Sequence, residues 1–236
     1  MRPDAGASHA LSGTPRACQY GRMADPDVKQ RKWRVPARIE TERLVVRCYE
    51  PDDALAMDEV IPANREYLLE FMAWAHDEPI GMDNRRALVE KFITGYSDGS
   101  DFTMGIFTRG GADGDGNEYI GGTGYHVRDD HLEIGYWLAE HAQGQGLMTE
   151  AAAALSRVAL QFAFAPFVAI CCHPANVRSR GIPKRLGYSL NGLKDVDGEP
   201  HEFWQLTQAA FLDSPASAEA RPEIYDANGS PLAWAV

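Results

Sequence analysis

The sequence predicts a mixed α/β domain, in which helices cover both faces of a mixed, mostly antiparallel sheet. An apolar segment at residues 131–138 leads through a glycine-containing loop into an alanine-rich helix at 147–164, and a second apolar segment follows at 167–172. A strand, a helix and a strand in that order are expected to form a parallel crossover. Residues 102–108 and 119–127 flank a glycine-rich turn and are expected to form an antiparallel hairpin.

The remaining elements follow from apolar periodicity and from helix start signals. A β-rich run at residues 44–49 precedes Pro51, Asp52 and Asp53, which are expected to start a short helix that ends at Val60. In chain order, the other expected elements are helices at 62–75, 83–96 and 176–186 and closing strands at 188–193 and 202–206. The expected sheet therefore has about seven strands.

The size and composition of the chain indicate a globular protein. Its 236 residues suit one domain with appendages and can bury a core without disulfides or metal. The hydrophobic share of 44% is ordinary for a soluble globule. No apolar run approaches the roughly 20 residues that span a bilayer, and the N-terminus lacks a signal-peptide core. We therefore expect a cytoplasmic protein that does not bind membranes.

Charge is distributed unevenly along the chain. Residues 1–38 carry eight basic and three acidic side chains, whereas the rest of the chain carries 15 basic and 31 acidic ones. An acidic body repels nucleic acid and suits cationic partners such as amines. We therefore expect no nucleic-acid partner.

The cysteines and a calcium-like loop do not indicate a metal site. The four cysteines lack metal-ligand spacing, and the adjacent pair Cys171 and Cys172 fits buried strand thiols better than nucleophiles. Residues 113–117 imitate the start of a calcium loop, but the glycine and the bidentate glutamate of such a loop are missing downstream. No metal is expected.

The loop before the alanine-rich helix has the strongest functional signal. Gly144 and Gly146 allow the backbone to approach a ligand closely, and the first N–H groups of the helix point at the same place. This arrangement predicts a cradle for an anion such as a pyrophosphate. The loop does not match a Walker loop, because no lysine follows Gly146. The match to the dinucleotide fingerprint is weak, because Thr149 stands where its third glycine would be.

Three motifs resemble those of the GCN5-related N-acetyltransferases, the GNAT family. Gln143, Gly146 and, imperfectly, Met148 are similar to the family's Q/R-x-x-G-x-G/A loop. The segment from Asn176 to Tyr188 resembles the family's N-x-x-S/A motif and its G-F/Y ending. Residues 39–47 resemble the opening strand of the RimJ/RimL-like branch.

This resemblance implies the GNAT fold, in which two parallel strands splay to admit the arm of an acyl donor. It divides the chain into a mobile basic arm at 1–38, an acetyltransferase domain at 39–212 and a tail at 213–236. In the tail, an Asn-Gly turn signal predicts a hairpin at 223–234.

The resemblance also implies acetyl-CoA as the acyl donor. Loop N–H groups would bind its pyrophosphate, and its pantetheine arm would pair like a strand with Trp137 and Leu138. Asn176 is expected to contact the arm or an ordered water, and it is also suited to cap the helix that follows. The other expected cofactor-binding residues are consecutive: Gln143, Gly144, Gln145, Gly146, Leu147, Met148 and Thr149.

Two residues are the catalytic candidates. Ser179 matches the serine with which RimL-type enzymes protonate the departing thiolate, although it could instead hydrogen bond within its helix turn. Glu133 resembles the strand glutamate that GCN5-type enzymes use as a base, through water, although it could instead be a solvent-facing charge. A peptide N–H near Leu138 would polarise the thioester carbonyl. These roles imply direct transfer in a ternary complex.

The expected activity is acetyl transfer to a primary amine, on a protein N-terminus or a small molecule. Tyr67, Phe71, Met72 and Trp74 are expected to shape the acceptor side, although helix-spaced aromatics also serve cores. Two alternatives stay open: transfer from another acyl-CoA such as succinyl-CoA, and a noncatalytic acyl-CoA sensor. A homodimer is the expected assembly.

Overall fold

A computed structural model describes residues 33–110 and 117–234, which contain nine strands and seven α-helices. The strands are β1 (Arg38–Glu40), β2 (Leu44–Cys48), β3 (Asp101–Thr108), β4 (Tyr119–Val127), β5 (Leu132–Leu138), β6 (Phe167–Cys172), β7 (Ser189–Val196), β8 (Glu199–Thr207) and β9 (Glu223–Tyr225). The helices are α1 (Asp53–Ala63), α2 (Arg65–Leu68), α3 (Met82–Asp98), α4 (Leu147–Arg157), α5 (Val177–Leu186), α6 (Gln208–Phe211) and α7 (Pro215–Ala218). None of these described helices is long and apolar enough to cross a bilayer.

The strands form one sheet in the order β7-β8-β6-β5-β4-β3-β2-β1-β9. Within the described residues, β5 and β6 are its one parallel pair. The predicted mixed, mostly antiparallel sheet is confirmed, but the expected strand number of about seven is too low. The two additional strands, β1 and β9, have three residues each, which is too short for a visible alternation of apolar residues.

The C-terminal tail packs on its own chain. β9 pairs with β1, and Tyr225 bridges to Pro231 across the turn that the Asn-Gly signal indicates. Gly229 has a φ of 77°, which favours glycine in this turn. At the other end of the chain, Trp33 is buried against the main core, and residues 1–32 of the predicted arm lie outside the described residues.

The predicted helix at 62–75 is wrong, because the chain breaks within it. α1 ends at Ala63, and Asn64 leaves helical geometry with a φ of −106°. The Asn64 side chain donates to the Val60 carbonyl and accepts from the Glu140 N–H. After the single turn of α2, residues Ala73–Asp77 form a 3₁₀ turn. The predicted helix at 147–164 is α-helical only as far as Arg157, and a π-helical turn follows at Val158–Phe162.

The alternating residues of β5 face two different cores. Leu132, Ile134 and Tyr136 pack with α4 and α5, on a side that we call the α4 face. Glu133 and Trp137 point to the other side, where α1 and α3 pack, which we call the α1 face.

β5 and β6 separate at their carboxyl ends. They pair only where residues 132–134 lie beside residues 168–170. Beyond that point β5 stays paired with β4 as far as Leu138, and β6 stays paired with β8 as far as Cys172. The expected splay of the parallel strands is therefore confirmed, and it opens the sheet beside Trp137 and Cys171.

Candidate active site

The loop between β5 and α4 holds two glycines in left-handed geometry. Gly144 has a φ of 74° and Gly146 a φ of 79°. Other residues adopt this region at a cost in free energy, so the backbone itself requires glycine at both positions. Gly146 also caps the N-terminus of α4, and no side chain supplies a capping hydrogen bond. The loop therefore leaves the N-terminus of an eleven-residue helix open.

The main-chain donors of this loop point out of the fold. The first amide bonded inside α4 is that of Glu150, which donates to the Gly146 carbonyl. Within the described part of the chain, the N–H groups of residues 144–149 have no acceptor. The N–H of Gln143 is already used, because it donates to the Glu140 carbonyl at 3.1 Å. Open amides at a helix N-terminus fit a diphosphate.

Two arginines of α5 add positive charge to this cradle. Arg178 Nη1 donates to Gln143 Oε1 at 2.7 Å, and Arg185 Nη2 donates to Thr149 Oγ1 at 3.2 Å. Among residues 33–110 and 117–234, neither guanidinium has a carboxylate partner. The acidic protein therefore has a locally cationic surface beside the open amides, which suits phosphate groups.

The remaining loop residues shape the cradle. The side chains of Leu147 and Met148 are buried in the main core. The bulk of Met148 at a position where the GNAT loop has Gly or Ala is therefore directed away from the open amides. Gln143 Nε2 donates to the Leu138 carbonyl at 3.2 Å, and Gln145 Nε2 donates to the His141 carbonyl at 3.0 Å.

Ser179 lies on the α4 face, where the sheet opens. The Asn176 side chain caps α5 by accepting the Ser179 N–H at 2.9 Å. Ser179 Oγ is 3.1 Å from the hydroxyl of Tyr136 and also hydrogen bonds to the thiol of Cys172. Burial raises the pKa of Tyr136, and it raises the pKa of Cys172 to about 11. Both groups are therefore protonated near neutral pH and can act as donors.

A partly buried ion pair fixes the helix that carries Ser179. Both oxygens of Glu202 on β8 accept from Arg180 on α5, each at 2.8 Å, and the indole of Trp204 donates to Glu202 at 3.0 Å. Burial raises the pKa of Glu202, but the hydrogen bonds from Arg180 and Trp204 outweigh it and lower the pKa overall. The carboxylate therefore stays ionised and keeps α5 against β8.

Glu133 lies on the opposite face from Ser179. It is 5% exposed, and Arg128 Nη2 lies 3.0 Å from its carboxylate. In the sheet it stands between His126 of β4 and Ala169 of β6. The structure therefore places the two predicted catalytic residues on either side of the opening, and Glu133 is a buried, ion-paired carboxylate rather than a solvent-facing charge.

Aromatic rings line the α1 face beside the opening. Trp74 and Trp137 have ring centroids 6.0 Å apart, and Phe71 and His173 are also 6.0 Å apart. His173 in turn meets His201 edge to face at 5.4 Å. On the same face, His126 of β4 is paired with Glu133 of β5 and with Asp101 of β3. We call the rings, these three residues and the small residues between them the acceptor groove.

The floor of the acceptor groove is made of small residues. Gly124 and Gly135 are paired across β4 and β5, and Cys171 lies in the neighbouring strand. Tyr67 of α2 comes within hydrogen-bonding reach of Gln143 and so connects the groove to the cradle. The residues that motif reasoning missed are Tyr136, Arg178, Arg185, His126, His173 and His201. Tyr136 could have been found from its place beside Trp137. No spacing in the sequence indicates that His126 pairs with Glu133 or that His173 contacts His201.

An open amide cradle beside a splayed strand pair suits a ligand that contains a diphosphate. The family model of the acetyltransferase (GNAT) domain matches residues 43–189. The chain therefore belongs to the GNAT acetyltransferase family, as the three sequence motifs predicted, and it is an enzyme of the acetyltransferase class.

Similar proteins include a characterised relative and several solved structures. The [ribosomal protein uS5]-alanine N-acetyltransferase of Escherichia coli (strain K12) is 30% identical over 69% of this chain and 85% of its own length. One similar structure is RimL, the ribosomal L7/L12 alpha-N-protein acetyltransferase, in complex with coenzyme A. It has a TM-score of 0.63 and 20% sequence identity, and the match covers 75% of this chain and 98% of the RimL chain. The microcin C7 self-immunity acetyltransferase MccE, in complex with acetyl-CoA and AMP, has a TM-score of 0.62 at 17% identity, over 71% of this chain and 93% of its own.

Proposed function

We propose that this protein transfers the acetyl group of acetyl-CoA to the α-amino group of a protein N-terminus. The open N–H groups of residues 144–149, at the start of α4, are the observation that carries the donor assignment. The acceptor assignment is supported by the names of the uS5-alanine and L7/L12 enzymes, which describe protein N-termini.

The donor site uses main-chain and guanidinium groups. The amides of residues 144–149 would hold the diphosphate of coenzyme A. The guanidinium groups of Arg178 and Arg185 would bind further phosphate oxygens of the same molecule. The amide of Gln143 is engaged, so its side chain contributes by tying the loop to Leu138 and Arg178. Asn176 caps α5, and within the described residues its Nδ2 group has no acceptor, so it is available to the pantetheine arm.

The strand β5 supplies the group that polarises the thioester carbonyl. The N–H of Ala139 donates to the Ile120 carbonyl on the β4 side. Because successive N–H groups of a strand point in opposite directions, the N–H of Leu138 points to the side from which β6 has separated. A donor at this position stabilises negative charge on the carbonyl oxygen as the amine attacks.

Ser179 returns a proton to the leaving sulfur. Its hydroxyl is in contact with Tyr136, whose raised pKa keeps it protonated and able to resupply the serine. A coenzyme A thiol with a pKa of about 8.5, judged from cysteine, leaves readily as a thiolate, so this acid contributes modestly. The base that the sequence motif predicts is Glu133, whose buried carboxylate is paired with Arg128.

The groove suits an N-terminal ammonium. The rings of Trp74 and Trp137 offer cation–π contacts, and the glycine floor leaves room for an extended main chain. An α-amine has a pKa of about 8 and a lysine side chain about 10.4, so near neutral pH a far larger share of α-amines is free to attack. This difference favours an N-terminal acceptor.

We also propose that the protein is cytoplasmic, which cell fractionation tests, and that it is a homodimer, which a mass measurement in solution tests.

Peptide acetylation tests the proposal directly. The purified protein is incubated with acetyl-CoA and a mixture of short peptides with free N-termini, while free thiol is followed and products are identified by mass. We expect acetylation of α-amines, with lysine side chains and N-terminally blocked peptides unmodified. Turnover with succinyl-CoA in preference to acetyl-CoA would support the alternative of an acyltransferase that uses another acyl-CoA. Tight cofactor binding with no product from any amine would support a sensor and contradict the proposal.

A further inference from the structure

We propose that His126, held by Asp101, is the group that removes the proton from the acceptor ammonium, a role that rests on the proposed function. His126 lies on β4 in the acceptor groove, paired across the sheet with Asp101 of β3 and Glu133 of β5. All three side chains therefore point to the α1 face.

The Asp101 contact fixes the orientation of the imidazole. His126 Nδ1 lies 3.1 Å from Asp101 Oδ1, and the other oxygen of Asp101 accepts from the Thr103 hydroxyl at 2.8 Å. An ionised carboxylate only accepts hydrogen bonds, so Nδ1 carries the proton in the neutral ring. The lone pair is then on Nε2, which has no hydrogen-bond partner among the described residues.

Gly135 places that lone pair beside the opening of the sheet. A Cβ atom at Gly135 would lie 3.0 Å from His126 Nε2. The ring therefore occupies the space over β5 that a side chain would fill, two residues before Trp137. His126 is also about half exposed, so an acceptor can reach it.

The other titratable groups of the groove are less suited to take a proton. Glu133 is buried and held by Arg128, so its charge is already compensated. His173 Nδ1 accepts the Ala175 N–H, which leaves the proton of the neutral ring on Nε2. His201 Nδ1 faces the Glu199 carbonyl at 3.3 Å, and no carboxylate lies behind it in the described residues. His201 is therefore the rival imidazole.

The proton and electron balance of the step is complete. His126 Nε2 takes one proton from the ammonium, and the freed lone pair forms a C–N bond with the acetyl carbon. The C–S bond breaks with its electron pair on sulfur, Ser179 gives its proton to that sulfur, and the second nitrogen proton replaces the one that Ser179 has given. His126 then releases its proton to solvent, which regenerates the base. Asp101 acts as a positioning residue for the ring.

Rate profiles from about pH 5 to pH 9 test this assignment, because an imidazole changes its protonation in that range. The variants are H126Q, H126A, D101N, E133Q and H201Q. The matched control is H141Q, which removes another exposed imidazole, 3.2 Å from Glu118. Coenzyme A binding, followed by calorimetry, shows whether each variant keeps its donor site. The charged side chains that face His126 are those of Asp101, Glu133 and Arg128, and the titratable ring of His131 lies 4.0 Å from Glu133.

We expect H126Q to lower kcat/KM about 100-fold and to move the acid limb of its pH profile to the pKa of the acceptor amine, about 8, while coenzyme A binding is unchanged. Added imidazole should restore part of the rate in H126A, and D101N should fall between H126Q and the wild type. H141Q should match the wild type. A wild-type rate and profile in H126Q, or this move of the acid limb in E133Q or H201Q alone, would overturn the assignment and leave the proposed function standing. A folded wild type without turnover would overturn both.

Discussion

The cradle and the acceptor groove are built in different ways. The cradle comes from consecutive residues, 143–149, and its ligand-binding groups are main-chain amides that two glycines expose. The acceptor groove takes side chains from β3, β4, β5, β6 and β8 and from the segment around α2. A shared donor can be held by backbone, whereas acceptor choice depends on side chains that only the fold brings together.

The largest effect is expected from Gly146→Val in the cradle. Valine at a φ of 79° is strongly disfavoured, and relief of that strain would move several amides that bind charged oxygens. We expect coenzyme A affinity to fall about 100-fold or more, measured by calorimetry. Gly229→Val is the control, because Gly229 has a φ of 77° and lies in the C-terminal turn. It should cost about 1–2 kcal/mol of unfolding free energy and leave the affinity unchanged. Equal losses of affinity in the two variants would contradict a local role.

A smaller effect is expected from Arg185→Gln. Arg185 donates to Thr149 at the first turn of α4, and we expect its loss to weaken coenzyme A binding about tenfold at low salt. The difference from the wild type should shrink as salt rises, because screening weakens exposed charge pairs. Arg86→Gln, at an exposed arginine of α3, is the matched control. An unchanged affinity at low salt would remove Arg185 from the donor site.

A similar or smaller effect, on kcat, is expected for Ser179→Ala, which removes the proposed proton donor to the leaving sulfur. Because the thiolate leaves readily, kcat should fall about tenfold, which is below the range that general acids commonly supply. The KM for acetyl-CoA should change little, since Asn176 still caps α5 through the backbone of residue 179. Unchanged kcat in S179A together with a loss in Tyr136→Phe would instead assign the proton to the tyrosine.

The smallest effect concerns Cys172 and involves no substitution. Its raised pKa of about 11 means that the thiol is protonated at neutral pH, so alkylation should be slow there and should quicken as pH rises toward that value. Bound coenzyme A should slow the reaction further if the splay holds its arm. The measurement is the rate of iodoacetamide labelling at Cys172 by peptide mapping. Fast labelling near pH 7 would contradict a buried, protonated thiol.

The same contrast explains how much the sequence predicted. The strand, glycine loop and helix around Gly146 are contiguous, so their order and spacing were enough to predict the cradle. The family was predicted from this loop together with the motifs at 39–47 and 176–188. Asn176 and Ser179 are close in sequence, and the cap between them was expected. β1 overlaps the predicted opening strand at 39–47, and β9 lies in the predicted hairpin at 223–234. Their pairing with each other was not predicted, because it joins two segments that are far apart in the sequence.

The residues of the acceptor groove could not be predicted from their order and spacing in the sequence. His126 and Glu133 become neighbours only when the register between β4 and β5 is known, and a shift by one residue would place His126 on the other face. The break at Asn64 depends on a hydrogen bond to Glu140, which is distant in the sequence. Glu133 was chosen from its motif position, which does not reveal the ion pair with Arg128.

The central claim is that main-chain N–H groups at the start of α4 hold the diphosphate of coenzyme A. A ¹⁵N–¹H spectrum of the folded protein, titrated with coenzyme A, observes those groups one by one. The account predicts that the largest shifts fall on the amides of residues 144–149, with little change at Gln143, whose N–H is already bonded. Saturable binding with no shift in that segment would contradict it.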